Sequence, residues 1–318
     1  MEYRRLGRTA LRVSPIALGT MNLGPLTAEA ESFRLLDRAV DGGINLFDTA
    51  DQYGGRLGPG ATESLLGRWL ATRRDRDALV IATKVHEPVG DGANDRGLSA
   101  FHIRRACDAS LRRLGIDHVD LYQLHHLDRA ASWDEVYEAT ERLHAQGKIT
   151  YLGTSNFPAW AFASGAERAI SRGHLGPVTE QHLYNLIQRT AELEVLPAAS
   201  NYGIGILPWS PLAGGILGGS PGQGSVRRND AADRIASIQP TLDSWIGICR
   251  ELGHHPAVVA TSWLKDRPGV TAPIVGPRTQ SHLEAALAAA DLSLEQSVLD
   301  ALDELFPGPG PAPEAYPW

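Results

Sequence analysis

Asp48, Tyr53, Lys84 and His125 are a carboxylate, a phenol, an amine and an imidazole, each set at or just after the end of a short apolar run. A tyrosine phenol has an unperturbed pKa of about 10 and is a poor proton donor at neutral pH. A nearby ammonium favours the phenolate and brings the group closer to the operating pH, where general acid catalysis works best. A buried lysine needs a partner for its charge, and Asp48 can supply one. A histidine beside the phenol can hydrogen-bond a substrate carbonyl and orient it. The pattern contains no nucleophile paired with a base and no metal triad. Proton donation to a carbonyl oxygen then calls for hydride from an organic cofactor. Taken singly, Asp48 could cap a turn, Lys84 could be an exposed lysine and His125 a core histidine. The joint pattern outweighs the single readings, and the chain uses only three lysines, Lys84, Lys148 and Lys265.

These groups need elements that bring them to one place. Eight apolar runs read as strands: 16–18, 44–47, 79–83, 119–124, 149–154, 178–181, 204–209 and 271–275. Helical patterns lie between them. Phe33, Leu36 and Val40 recur at helical spacing within 27–40, and Gly42-Gly43 stops that segment. Ile103, Cys107, Leu111 and Leu114 do the same within 99–114, ended by Gly115. Ser132 with Glu135 forms a capping-box signature ahead of 132–146, and Pro158 suits the first turn of 158–172. Repeated strand–helix units imply parallel strands with right-handed crossovers. Eight of them without a break in composition favour the α/β class, a single (β/α)8 TIM barrel over residues 1–318, rather than two doubly wound halves. Residues 3–14 read as an N-terminal β-hairpin turning at Gly7-Arg8-Thr9. The long loops 85–98 and 213–238 follow strands, on the C-terminal face where barrel enzymes keep their sites. The Pro/Gly run from Phe306 to Pro311 cannot be helical and is expected to drape over a surface.

In such a barrel the strand ends converge on one mouth. Ser155-Asn156, Gln181 and Trp209-Ser210 stand at three more of those ends. The net charge of −7 argues against a nucleic-acid binder, which needs a basic face. Two cysteines, Cys107 and Cys249, make no disulfide framework and read as small buried hydrophobes. The N-terminus has no apolar signal core, and no run of about 18 apolar residues spans a membrane. A cytoplasmic protein is expected, with no membrane partner; a homo-oligomer is left open.

The runs Asp48-Thr-Ala-Asp-Gln-Tyr53, Val80-Ile-Ala-Thr-Lys84, Leu121-Tyr-Gln-Leu-His125 and Gly153-Thr-Ser-Asn156 occur in that order. Gln181 with Tyr184-Asn185, Trp209-Ser-Pro-Leu-Ala213 and Ile274-Val-Gly-Pro-Arg278 follow. Together they resemble the aldo-keto reductases over nearly the whole chain. The resemblance implies that Tyr53 donates the proton, Lys84 and Asp48 tune it, and His125 positions the carbonyl. It implies NADPH as cofactor, with Ser155, Asn156 and Gln181 on the nicotinamide carboxamide and Trp209 stacked on the ring. Asp48, Gly19, Thr20 and Met21 would underlie the nicotinamide ribose. Ser210, Pro211, Leu212 and Gly214 would line the pyrophosphate, and Gly276, Arg278 and His282 would meet the adenosine end. A guanidinium at Arg278 suits a 2′-phosphate. His282, Ala285 and Ala286 stand where many relatives carry Gln, Glu and Asn, which implies fewer adenosine hydrogen bonds. Ser220 replaces a lysine often found in that loop.

Leu124-His-His-Leu-Asp-Arg129, the Gly-rich run Ser210–Gly219 and the tail Phe306–Tyr316 are more narrowly similar to actinobacterial-type deoxysugar-pathway reductases. NDP-hexose 2,3-enoyl reductases are among them. That similarity implies a keto- or enone-sugar nucleotide as substrate. Asn22, Asp51, His86 and His126 would then contact hydroxyls, and Arg227 or Arg228 a diphosphate. A broad-specificity aldehyde or ketone reductase is the alternative within enzymes. A cofactor-sensing regulatory subunit is the alternative outside them.

Overall fold

Alternation along the strands divides the apolar side chains into two cores. Side chains of successive strand residues point to opposite faces. Along Val80–Val85, Val80 and Ala82 point into a barrel, while Ile81 and Val85 point outward to the helices. The computed structural model describes residues 1–219 and 238–316. A two-stranded hairpin, β1 (Arg4–Arg5) and β2 (Arg12–Val13), comes first. The barrel strands follow as β3 (Ala17–Gly19), β4 (Leu46–Asp48), β5 (Val80–Val85), β6 (Val119–Leu124), β7 (Ile149–Ser155), β8 (Pro177–Leu183), β9 (Gly205–Trp209) and β10 (Ile274–Val275). They pair in parallel in chain order, and β10 closes the ring against β3. The helices are α1 (Glu29–Asp41), α2 (Ala61–Leu70), α3 (Ala100–Leu114), α4 (Trp133–Ala145), α5 (Ala159–Ser171), α6 (Val195–Tyr202), α7 (Gln239–Glu251), α8 (Pro256–Lys265), α9 (Gln280–Asp291) and α10 (Gln296–Leu305).

All eight expected strands form, with shifted ends. The last is the most curtailed: of 271–275, Ile274–Val275 alone joins the ladder. Pro273 has no N–H to donate. The helical periodicities hold in α3, where Ile103, Cys107, Leu111 and Leu114 are all buried, Ser99 accepts from the His102 N–H at 3.2 Å and left-handed Gly115 ends the helix. The capping box at α4 is half formed. Ser132 Oγ accepts from the Glu135 N–H at 3.2 Å, but the Glu135 carboxylate accepts from the Ala100 N–H at 2.9 Å and caps the neighbouring helix instead. Both cysteines are buried, and burial pushes each thiol up to about 12, as an inert small hydrophobe requires.

The hairpin plugs the N-terminal end of the barrel. Leu6 and Val13 are fully buried among Ala17, Leu46, Val80, Leu121 and Leu207. Gly7 has φ +55°, and a Cβ there would meet the Val178 carbonyl oxygen at 2.2 Å. No other residue fits a left-handed turn pressed that closely on backbone. Arg4 Nη1 donates to the Lys265 carbonyl at 2.5 Å and Arg8 Nη1 to that of Tyr202 at 2.6 Å, fastening the plug to the far end of the chain. The tail drapes as expected: Phe306 packs edge-on against Trp245 at 6.1 Å, and its carbonyl accepts from Arg189 Nη1 at 2.7 Å. Among the described residues no helix is long and apolar enough to cross a membrane.

Candidate active site

Above the apolar layer the barrel interior turns polar. Asp48 of β4, Gln123 of β6 and Gln181 of β8 point inward from alternate strands, as layered barrel packing requires. Gln123 Nε2 and Gln181 Nε2 both donate to Asp48 Oδ1, at 2.9 and 2.8 Å. Gly153 of β7 leaves the room, since a Cβ there would meet Thr179 Oγ1 at 2.4 Å and Gln123 Cγ at 3.1 Å. Lys84, fully buried at the top of β5, donates to Asp48 Oδ2 at 2.6 Å, to the Thr49 carbonyl at 2.7 Å and to Tyr53 OH at 3.3 Å. Three acceptors for three ammonium protons leave none unsatisfied. Burial alone pulls the Lys84 pKa down, but Asp48 and the Tyr53 oxygen outweigh it and the net shift is upward. The lysine is therefore a fixed cation. By the same interaction it favours the phenolate of Tyr53. His125 lies edge-on to Tyr53 at 6.0 Å between ring centres. The four groups named from sequence thus meet at one strand-end rim.

Asp48 and Tyr53 open onto a cavity of about 680 Å³ that runs along the mouth to Arg278 and His282. Gly19, Met21, Asn22, Gln181, Trp209, Ser210, Pro211, Leu212, Gly214 and Gly276 also face it. Thr20 does not: its hydroxyl donates to the Asp48 carbonyl at 3.0 Å and it is fully buried beneath. Ser155 is buried at the end of β7 and does not line the cavity. Asn156 takes a left-handed φ of +57°, which asparagine tolerates. It donates to the His125 carbonyl at 3.1 Å and accepts from Trp209 Nε1 at 2.9 Å, so it fixes the indole against the strand ends. His86 and His126 stand beside His125 at the rim rather than in the cavity wall. Asp51 is buried and does not line the cavity. Arg227, Arg228 and Ser220 lie outside the described residues.

Of the distal wall the sequence reading named Gly276, Arg278 and His282 and missed the contribution of α8. The rest of that wall is built by the N-terminal half of α8 and the first turn of α9, with His255, Val258, Thr261 and Ser281 facing the cavity. His255-Pro256 is a readable signal, an N-cap followed by proline at the first helical position; His255 Nδ1 accepts from the Ala257 N–H at 3.2 Å. Two helix N-termini beside Arg278 favour anionic groups. Partial burial, then Arg278 and His255, lower the pKa of His282 and keep it a neutral imidazole. A separate depression of about 550 Å³ between α2 and α3 lies away from the strand ends; of its arginines, Arg68 is paired with Glu29 and Arg113 with Glu63.

Asp51 has a different task. Neither of its oxygens is hydrogen-bonded among the described residues. Burial, then the charge of Glu63, push its pKa well up, with Arg113 opposing. The unfolded chain therefore releases this proton at lower pH than the folded one. Stability is full below the unfolded pKa and falls as pH rises toward the folded one, by about 1.4 kcal/mol per pH unit of separation. Asp51→Asn should remove that slope. In thermal melts from pH 4 to 8 its melting temperature should exceed wild type most at the alkaline end; parallel curves would show that Asp51 is ionised in the fold.

The sequence model of the aldo/keto reductase family matches residues 15–306. A Bacillus subtilis protein named uncharacterized oxidoreductase YrpG is 48% identical over 326 residues, covering 100% of both chains. The versiconal hemiacetal acetate reductase of Aspergillus parasiticus is 32% identical, over 96% of this chain and 97% of its own. A probable voltage-gated potassium channel subunit beta of Arabidopsis thaliana is 30% identical, over 99% of this chain and 100% of its own.

Proposed function

Because this chain belongs to the aldo/keto reductase family of oxidoreductases, we propose that it reduces a carbonyl or conjugated enone with NADPH and that Tyr53 is the proton donor. The observation that carries this is the contact of buried Lys84 with both Asp48 and Tyr53 OH. NADPH, when bound, supplies hydride to the substrate carbon. The cavity suits it: an indole face at Trp209, the Gln181 side chain in the wall, and two helix N-termini with Arg278 at the distal end.

The chain's own residues account for the proton. Tyr53 gives its phenolic proton to the carbonyl oxygen as charge develops there. The Lys84 ammonium stabilises the phenolate that remains, and Asp48 with its two glutamine donors holds the lysine in place. His125, edge-on to the phenol, orients the carbonyl. In conjugate reduction hydride goes to the β-carbon and a proton must reach the α-carbon instead.

For the substrate we favour a keto- or enone-sugar nucleotide, supported by polar groups at the mouth: Asn22, His86 and His126. A steady-state panel of benzaldehydes against a 4-keto-hexose nucleotide tests it. Higher kcat/KM for the nucleotide supports the sugar reading, and equal or better turnover of benzaldehydes makes this a broad aldehyde or ketone reductase. The relative named as a channel subunit favours a second reading, a dinucleotide-binding regulatory subunit. Tight NADPH binding with no oxidation by any carbonyl would establish that one.

Arg278 carries the preference for NADPH. Arg278→Ala should weaken NADPH by about tenfold or more, the loss of a charge-assisted phosphate contact, and NADH by far less. Fluorescence titration with both dinucleotides checks this. Equal losses would remove the phosphate role.

A further inference from the structure

The rim beside the phenol holds a cluster that takes no part in the proton transfer, although two of its members are proposed above as substrate contacts. His86 and Glu87 follow β5, and His126 follows β6; these strands are paired up to Val85 and Leu124. Glu87 Oε1 lies 3.0 Å from His86 Nδ1 and 2.6 Å from His126 Nδ1. One donor atom from each of the three residues falls within 4.8 Å of the others. All three are partly exposed. Sequence reading took the two histidines as contacts to sugar hydroxyls and expected no metal triad, and it passed over Glu87. The pairing of β5 with β6 makes the set, because residues 39 apart in sequence become neighbours at two strand ends.

We propose that His86, Glu87 and His126 form a binding site for a borderline divalent transition-metal ion, Zn²⁺ above all. Two imidazoles and one carboxylate are a Zn²⁺ donor set with the fourth position open to water, whereas Ca²⁺ and Mg²⁺ call for oxygen ligands throughout. Ligand bonds of about 2.0–2.1 Å in a tetrahedron put donor atoms roughly 3.3 Å apart. The observed 3.0 and 2.6 Å need to open by less than an ångström, which side-chain rotation at partly exposed positions supplies. Each neutral imidazole presents a lone pair at Nδ1 once its N–H sits on Nε2. The backbone around the site is tied down: the His86 carbonyl accepts from the Gly97 N–H at 2.7 Å, and the His125 N–H donates to the Val85 carbonyl at 2.9 Å. A metal ion here would also fix His126, whose ring stacks on His125 at 5.2 Å. It would stand at the mouth of the carbonyl site without replacing any member of the tetrad. Binding itself does not depend on the reduction reading.

The test is equilibrium dialysis of the untagged full chain against ZnCl2, with metal content measured afterwards, beside Co²⁺ titration followed by visible absorption. Wild type should retain one equivalent of Zn²⁺ and develop the intense absorption of four-coordinate Co²⁺. Glu87→Gln and the double variant His86→Ala/His126→Ala should each lose affinity by about tenfold or more, with far-UV circular dichroism confirming that they fold. Equal retention by wild type and both variants would place the metal elsewhere and overturn the site. So would no retention by wild type at about 100-fold excess of Zn²⁺ over protein, or a Co²⁺ spectrum unchanged by the substitutions.

Discussion

Tyr53→Phe should lower carbonyl turnover by about 10²-fold or more, the range that general acid catalysis contributes, while leaving NADPH affinity close to wild type. The ring keeps its contacts with His125 and Lys84, at 6.0 Å between ring centres and 4.8 Å from Nζ to the centroid, while Lys84 loses the hydroxyl as its third acceptor. What goes is one hydroxyl, and with it the proton that the carbonyl oxygen must receive. Stopped-flow binding and steady-state turnover on one preparation separate the two quantities. A variant within threefold of wild type would mean that water or His125 delivers the proton.

Lys84→Met should do more damage, because it acts on chemistry and on folding at once. Removing one partner of a buried ion pair leaves the other charge uncompensated and costs about 3–5 kcal/mol. Here Asp48 would keep its hydrogen bonds from Gln123 and Gln181 and lose its cation. Turnover should fall on the order of 10²–10⁴-fold, because the phenol loses the charge that stabilises its conjugate base. The double variant Lys84→Met/Asp48→Asn separates the effects. It should recover most of the lost stability in urea melts and none of the activity. Recovery of activity as well would reduce the lysine to a structural counter-ion.

The tetrad was legible because it sits where pattern changes are sharpest. Each member interrupts or follows an apolar strand with a reactive type, and barrel topology alone carries four such interruptions to one mouth. The barrel strands were legible for the same reason, although β3 and β4 are three residues long and their ends shifted. What sequence could not supply was which polar groups would be consumed internally. Thr20 and Ser155 belong to the motif and are buried beneath or beside the cavity. Glu135 has the spacing of a capping partner and caps another helix. The α8 part of the distal wall was passed over because it contributes through the N-terminal half of the helix and not through an apolar stripe. Glu87 had no local signature, since His86 alone is beside it in sequence and His126 comes from the adjoining strand.

The hairpin plug has a consequence for how this chain is made. Gly7, held against Val178 and Gly205, and Arg8, bonded to the Tyr202 carbonyl, find their partners roughly 170 to 200 positions downstream. The hairpin must therefore wait, solvated, until those downstream strands have been made. Long-range closure of that kind is slow. Removing the hairpin should then lay bare the apolar floor that Leu6 and Val13 cover.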